Sequence, residues 1–283
     1  MAFVGASPVV RLAGIMLTLR YPLNSVLDRL DRSRGRDGKR LPRRFVICPA
    51  RGLWHSRFVP EGGEIEVYIP PAFREDRPEV MRDAIRRTDL AILISEGADG
   101  IIASHVPMLL EEAGGSNGTL HGHIARANPQ WRTKTPEVEG LAIFTGPDAY
   151  ISPNWYATKR ETGKVVPTWN YIAVHAYGRL VFYDDREQLR ALVTRLTERH
   201  EGALPKPWAV ADAPADFINA QLKGIVGFRM EITRLDGKWK MSQNRPTVDR
   251  LGVVEGLRQQ GGAVQSAVAD EVADAVRSRK PES

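Results

Sequence analysis

The stretch Thr119-Leu120-His121-Gly122-His123-Ile124-Ala125-Arg126-Ala127-Asn128-Pro129-Gln130-Trp131 decides the fold that the sequence predicts. Up to Arg126 the stretch alternates as a β-strand does, so that its two histidines share one face. The Asn-Pro pair that follows predicts a short helix ending near Lys134, because asparagine is a favourable N-cap and proline suits the first helical position. A strand end with an arginine beside a helix start offers donors to an anion.

Around this stretch the sequence predicts antiparallel strands with helices between and after them. Tight turns are expected at Asp99-Gly100, Tyr177-Gly178 and Asp236-Gly237, each joining two strands. Besides the strand that ends near Arg126, another strand is expected over Ile101–Leu110. Helices are expected at residues 78–88, 185–200, 212–222, 248–259 and 264–277. This order favours an α+β β-barrel with peripheral helices and a helical C-terminal tail over a βαβ sheet.

Charge and cysteine content narrow the range of functions. The net charge of the 283 residues is +6. Residues 1–66 hold 12 Lys and Arg against 6 Asp and Glu, whereas residues 67–283 hold 28 of each kind. The neutral larger part therefore gives no general argument for nucleic-acid binding. Because Cys48 is the only cysteine, redox chemistry after residue 66 requires a bound cofactor.

The first 66 residues differ in composition from the rest. The basic run Arg32–Arg44 has few apolar residues, which favours a disordered extension, and a basic arm for nucleic acid is the alternative. Glu61-Gly62-Gly63 is compatible with codons that contain a ribosome-binding sequence, and Val67 with a GTG start. We therefore expect an extension over residues 1–66, of which a mis-assigned start is one explanation, and a folded domain over residues 67–283.

Apolar runs give no indication of a membrane protein. None approaches the ~18 residues that a membrane-spanning helix needs. The nearest candidate, Val9–Leu19, is interrupted by Arg11, and no basic residue precedes it as in a secretory signal. We expect a cytoplasmic protein.

Histidines and aromatic residues suggest a ligand site. His105, His121 and His123 are imidazoles in strand contexts, but no cysteine or carboxylate cluster accompanies them, so we predict no metal site. Asn154-Trp155-Tyr156 and Trp169-Asn170-Tyr171 combine rings with amides, which suits a planar heteroaromatic ligand. Ordinary core packing is the alternative for the tryptophans, and a solvated arginine beside a capped helix is the alternative for the phosphate site.

Several of these stretches together resemble the PaiB family, whose members are described as FMN-binding negative transcriptional regulators. They match in order and spacing between Val67 and Ala273. The stretches are Val67–Phe73, Ser104–Pro107, Gly122–Trp131, Ser152–Tyr156, Val166–Tyr171 and Lys240–Pro246.

The resemblance implies a split β-barrel that forms a homodimer, with FMN in two clefts at the subunit interface. Arg126 and His123 would face the phosphate, assisted by Arg132 or Lys134. Ser104 and His105 would line the edge of the flavin ring. Trp155, Trp169 and Asn170 of the same or the partner subunit would close the pocket. The implied cofactor site comprises Ser104, His105, His123, Ala125, Arg126, Asn128, Trp131, Arg132, Lys134, Trp155, Trp169 and Asn170.

The resemblance also implies the function, which is repression of transcription by a homodimer that contacts DNA directly or through another regulator. Two alternatives stay open. One is an FMN-dependent oxidoreductase of the flavin reductase type that uses NAD(P)H, because bound flavin can transfer hydride. The other is a flavin sensor without direct DNA contact, which agrees best with the neutral charge of residues 67–283.

Overall fold

The computed structural model describes residues 9–12, 15–18, 67–97, 100–112, 117–132 and 137–278. The chain divides into two units, Met1–Glu64 and Ile65–Ser283. In the first unit, strands β1 (Val9–Leu12) and β2 (Ile15–Thr18) pair in antiparallel fashion. The predicted basic extension otherwise lies outside the described residues, as does Lys134.

The second unit consists of strands, α-helices and short 3₁₀ helices. Strands β3 to β10 cover Arg74–Glu75, Ala91–Gly97, Gly100–Val106, Met108–Glu111, Thr119–Ala125, Glu137–Ile151, Thr168–Tyr183 and Ile225–Lys240. Helices α1 to α6 cover Pro78–Arg87, Thr158–Thr162, Arg186–Glu201, Ala215–Leu222, Thr247–Gln260 and Ala263–Ser278. The 3₁₀ helices cover Pro71–Phe73, Pro129–Trp131, Pro153–Trp155 and Val210–Asp212.

One bent stretch of chain closes the sheet of the second unit. Its antiparallel strands follow the order β5-β4-β8-β9-β10-β7-β6, and β3 pairs with the end of β10. Val106 at the end of β5 pairs with Ala91 of β4, whereas Met108 at the start of β6 pairs with Gly122 of β7. Only Pro107 separates these two residues, so the opposite edges of the strand order must meet. The sheet is therefore a barrel.

The core lies inside this barrel and beneath the C-terminal helices. Leu93, Leu120, Leu180 and Phe228 are fully buried and come from four different strands. Helices α5 and α6 add apolar residues such as Val253 and Val268 to the same core. The predicted α+β barrel with peripheral helices and a helical C-terminal tail is confirmed.

Two predicted turns are wrong, because the chain passes through them as continuous strand. Tyr177-Gly178 lies within β9, and Asp236-Gly237 lies within β10. A Cβ on Gly178 would collide with the carbonyl oxygen of Glu231, next to the irregularity in register between Ile232 and Arg234. A Cβ on Gly237 would lie 2.7 Å from the carbonyl oxygen of Glu75 on β3. Both glycines therefore permit close backbone approach.

Two further elements differ from their predicted extents. The predicted strand Ile101–Leu110 is divided at Pro107 between β5 and β6, because proline has no N–H to give to a ladder. The predicted helix after Asn128 is a single 3₁₀ turn, Pro129–Trp131, although Asn128 caps it as expected. Within the described part of the chain, no helix has the length and apolar character needed to cross a membrane.

The close approach at Gly178 leads to a stability prediction. Gly178→Ala should lower the free energy of unfolding by roughly 1–3 kcal/mol, because the added methyl group meets rigid backbone. Gly140→Ala is the matched control, since Gly140 pairs with Gly178 but faces the side chains of Met230 and Leu180, at 3.0 and 3.1 Å. Urea unfolding measures both variants. If both variants lose the same unfolding free energy, the close backbone approach is not the reason why β9 needs glycine at position 178.

Candidate cofactor site

A polar cluster lies where β7 passes into the 3₁₀ helix. We call Ser104, Asn128 and Gln130 the strand-end cluster. The Ser104 hydroxyl donates to Gln130 Oε1 at 2.6 Å, and Asn128 Nδ2 donates to Ser104 Oγ at 2.7 Å. Asn128 Oδ1 also accepts the backbone N–H of Gln130 at 2.9 Å. The cluster thus joins β5 to the turn that follows β7.

Gln130 connects this cluster to the barrel wall, although no role was predicted for this residue. It is fully buried, and its Nε2 donates to the carbonyl oxygen of Leu93 at 3.2 Å and to Ser95 Oγ at 3.1 Å. An amide side chain has two donor hydrogens and an acceptor oxygen, so it can form hydrogen bonds to groups on several strands at once. The one sequence feature that could have indicated a role for Gln130 is its position directly after a helix-starting proline. Its burial could not be predicted, because it depends on distant strands.

Arg126 fastens the end of β7 to the chain that follows α4. Its Nε donates to the carbonyl oxygen of Lys223 at 2.8 Å, and its Nη2 donates to that of Ile225 at 3.1 Å. Its Nη1 lies 3.4 Å from Asp184 Oδ2. These bonds occupy much of the guanidinium with protein acceptors. In this structure Arg126 therefore holds the end of β7 in place.

The helix start beside Arg126 also differs from the predicted anion site. Pro129 has no N–H, and the N–H of Gln130 is already bonded to Asn128. Trp131 Nε1 donates to the carbonyl oxygen of Arg126 at 2.8 Å, and the exposed Arg132 lies over the Trp131 ring at 5.4 Å. The phosphate role of Arg126 stays a prediction, and a bound phosphate would have to compete with these protein contacts.

His123 and His105 occupy different environments near the cluster. His123 is half-buried on β7, opposite Gly227 of β10, and its buried Nδ1 has no partner among the described residues. Burial lowers the pKa of His123, so the neutral imidazole is favoured. His105 on β5 and Ala125 at the end of β7 are exposed.

The remaining predicted site residues lie elsewhere. Asn170 is fully buried, and its Nδ2 donates to Ser242 Oγ at 3.0 Å. Trp169 is 53% exposed and meets Tyr150 edge to face, with ring centroids 6.0 Å apart. Trp155 packs against Gly252 and Gly256 of α5, where a Cβ would collide with it. The packing alternative therefore describes the observed position of Trp155.

The structure thus divides the predicted site residues of one chain into two groups. On β10, Ile225 pairs with Ala125 beside the strand-end cluster, and Lys240 pairs with Tyr171 beside Asn170. These two positions of β10 are fifteen residues apart, which is roughly 50 Å of extended strand. Among the described residues, no group of three or more His, Cys, Asp or Glu side chains is arranged to hold a metal ion.

Comparison with known proteins identifies the class of this barrel. Residues 67–234, which lie within the second unit and extend into β10, match the family described as "Putative FMN-binding domain". The match covers more than half of the chain. The protein is therefore a flavin-binding barrel protein, and FMN is confirmed as the predicted cofactor.

The curated relatives identify the family within this class. The protease synthase and sporulation protein PAI 2 of Bacillus subtilis is 30% identical over 213 residues, which cover 75% of this chain and 100% of that protein. An uncharacterized protein of Aspergillus fumigatus is 35% identical over 251 residues, covering 73% of this chain and 96% of its own. The chain belongs to the PaiB family, as the sequence predicted.

The chain also shows a distant likeness to solved structures of low sequence identity. The FAD and heme binding protein from Mycobacterium smegmatis has a TM-score of 0.44 and 14% sequence identity, over 59% of this chain and 73% of its own. A likeness at this level does not indicate how a ligand is bound here.

The buried histidines lead to a prediction about pH. Burial lowers the pKa of His121 and of His123 below 6.5, so the unfolded chain takes up protons at a higher pH than the folded chain does. The free energy of unfolding should therefore fall as the pH drops from 7.5 through 6.5 towards the lowered pKa values. Urea unfolding at a series of pH values measures this dependence.

His123→Gln should make the stability of the protein less dependent on pH, because it removes one of the three imidazoles whose pKa burial lowers, the third being His175. The exposed His200 supplies the control, as His200→Gln. A stability that stays constant or rises on acidification through this range would refute the proposed contribution of His123.

Proposed function

We propose that this protein is a homodimeric FMN-binding negative regulator of transcription. The observation that carries the proposal is the family match over residues 67–234, because these residues form most of the closed barrel. The Bacillus subtilis relative supports regulation, since its name refers to sporulation, which is a cellular process and not a single reaction.

We place the flavin beside the strand-end cluster. Ser104, Asn128 and the half-buried His123 bring a hydroxyl, an amide and an uncharged imidazole to one end of β7. Such groups suit the carbonyl and nitrogen atoms of a flavin ring. Trp131, held by its bond to Arg126, supplies an apolar face next to them. The exposed His105, Ala125 and Arg132 border this region.

The outer face of β9 supports the homodimer. Trp169, Tyr171, His175 and Tyr177 alternate along one side of the strand, and each is at least partly exposed. Tyr150 of β8 extends the same face beside Trp169. Aromatic side chains are enriched in protein interfaces because they bury a large area with little loss of conformational entropy. A second copy of the chain would cover this face and bring its tryptophan towards a flavin.

The regulatory role can be tested in cells and on DNA. Deletion of the gene should raise the level of specific transcripts, and the purified FMN-loaded protein should retain DNA fragments from upstream of those genes. The logarithm of the binding constant should fall linearly with the logarithm of the salt concentration, because phosphate contacts release counterions.

The same measurements, together with an assay of the purified protein for NAD(P)H oxidation, can contradict the regulatory role. Unchanged transcripts, together with rapid bleaching of bound FMN by NADH or NADPH and reoxidation by oxygen over many turnovers, would replace the regulator with an oxidoreductase. Unchanged transcripts and no bleaching would contradict both functions.

The dimer can be tested through the outer aromatic face. The wild-type protein should sediment at twice the chain mass of 31.5 kDa. Trp169→Ala combined with Tyr150→Ala should shift micromolar protein towards the monomer, since large aromatic contacts carry much of the binding energy of an interface. Trp208→Ala is the control, because Trp208 is also exposed, at 45%, but lies outside this face. A monomeric wild type would end the proposal.

A further inference from the structure

A small polar cleft of about 100 Å³ lies at the other end of β10 from the strand-end cluster. It is bordered by the start of β9, the end of β10 and the chain that leads into α5. We call it the Lys240–Arg245 cleft. The polar residues that line it and matter here are Tyr156, Thr168, Asn170, Lys240, Ser242 and Arg245.

The cleft is positively charged. Its lining includes Lys240 and Arg245 but no Asp or Glu, and among the described residues neither cation has a carboxylate within ion-pair distance. Lys240 Nζ donates to Thr168 Oγ1 and to the carbonyl oxygen of Trp169. Burial lowers the pKa of Lys240, and the neighbouring cations Lys238 and Arg245 lower it further. An anion in the cleft would offset this repulsion.

Tyr156 supplies an unused donor to the same cleft. The residue is only 2% exposed, and its hydroxyl has no acceptor among the described residues, because the Arg245 guanidinium beside it can only donate. The guanidinium carbon of Arg245 lies 4.7 Å from the centre of the Tyr156 ring. Burial raises the pKa of the Tyr156 hydroxyl, so it stays protonated and able to donate. A buried hydroxyl without a partner is costly unless a ligand satisfies it.

The opposite wall of the cleft is rigid. Asn170 and Ser242 are both buried and bonded to each other at 3.0 Å, which fixes the start of β9 against the end of β10. Ser242 has a φ of 60°, a left-handed conformation that is unfavourable for serine. Such backbone strain is concentrated at ligand sites, where the surrounding structure enforces it.

We propose that the Lys240–Arg245 cleft binds the phosphate group of a small phosphomonoester. Lys240 and Arg245 supply the positive charge, and the planar guanidinium of Arg245 suits two phosphate oxygens at once. The Tyr156 hydroxyl donates to the same group, while Asn170 and Ser242 keep the cleft open. The phosphomonoester is either an FMN whose ring is bound at the strand-end cluster of a second copy of the chain, or a separate ligand. The cleft is therefore a site in addition to the flavin site proposed above.

Inorganic phosphate is the probe for the first test. Calorimetric titration of the full-length protein at constant ionic strength should show saturable binding, whereas chloride should not compete. Arg245→Gln should weaken phosphate binding by roughly tenfold or more, because it removes a charge-assisted contact. Lys238→Gln is the matched control, since Lys238 carries the same charge two residues before Lys240 but does not line the cleft. It should change the affinity by less than about threefold.

Tyr156→Phe provides a test that does not depend on a change in folding. Its hydroxyl donates to no described residue, so the variant should be at least as resistant to urea as the wild type. Its affinity for phosphate should nevertheless fall about three- to tenfold. If phosphate fails to bind the wild type, or if Lys238→Gln loses as much affinity as Arg245→Gln, the proposed site is wrong.

FMN and riboflavin distinguish the two sources of the phosphate. If FMN occupies the cleft, Arg245→Gln should weaken FMN binding but leave riboflavin binding unchanged, and phosphate should compete with FMN. If the ligand is separate, Arg245→Gln should leave FMN binding unchanged, and FMN-loaded protein should bind phosphate as tightly as the flavin-free form. Either result supports the cleft. A wild-type protein that binds phosphate but neither FMN nor riboflavin would refute the proposed flavin site and leave the phosphate site supported.

Discussion

The second unit depends on one constraint, which is that Pro107 alone separates two strands at opposite edges of the strand order. Val106 pairs with β4 and Met108 pairs with β7, so the sheet must curl until these edges meet. The closure encloses the apolar core. It also brings Ser104 of β5 within hydrogen-bond distance of Asn128 and Gln130, which follow β7. The polar cluster is therefore a direct result of the way in which the barrel closes.

Local patterns in the sequence were sufficient to predict the elements but not their long-range pairing. The alternation before Arg126 and the spacing of the helices predicted the α+β barrel. The long strands β9 and β10 were missed because Gly178 and Gly237 stand in turn-like dipeptides, although each makes room for backbone from a distant strand. The burial of Gln130 was equally inaccessible, because its partners Leu93 and Ser95 are 37 and 35 residues away in the sequence.

The resemblance identified the correct family and cofactor, and it implied pockets at a subunit interface that residues of the same or the partner subunit would close. Within one chain, the two groups of predicted residues lie towards opposite ends of β10, and a dimer is the simplest way to reunite them. Arg126 was singled out for its charge, yet its donors serve the carbonyl oxygens of Lys223 and Ile225. Lys240 and Arg245 have no carboxylate partner among the described residues, and they belong to a stretch that the resemblance included without assigning a role.

A crystal structure of the protein saturated with FMN is the most direct test of this arrangement. We expect two chains per assembly, with the flavin ring beside Ser104 and Asn128 of one chain and against the aromatic face of the other. We also expect Pro107 to join β5 to β6 in each chain. A flavin bound remote from the strand-end cluster, or enclosed within a single chain, would contradict the proposed arrangement.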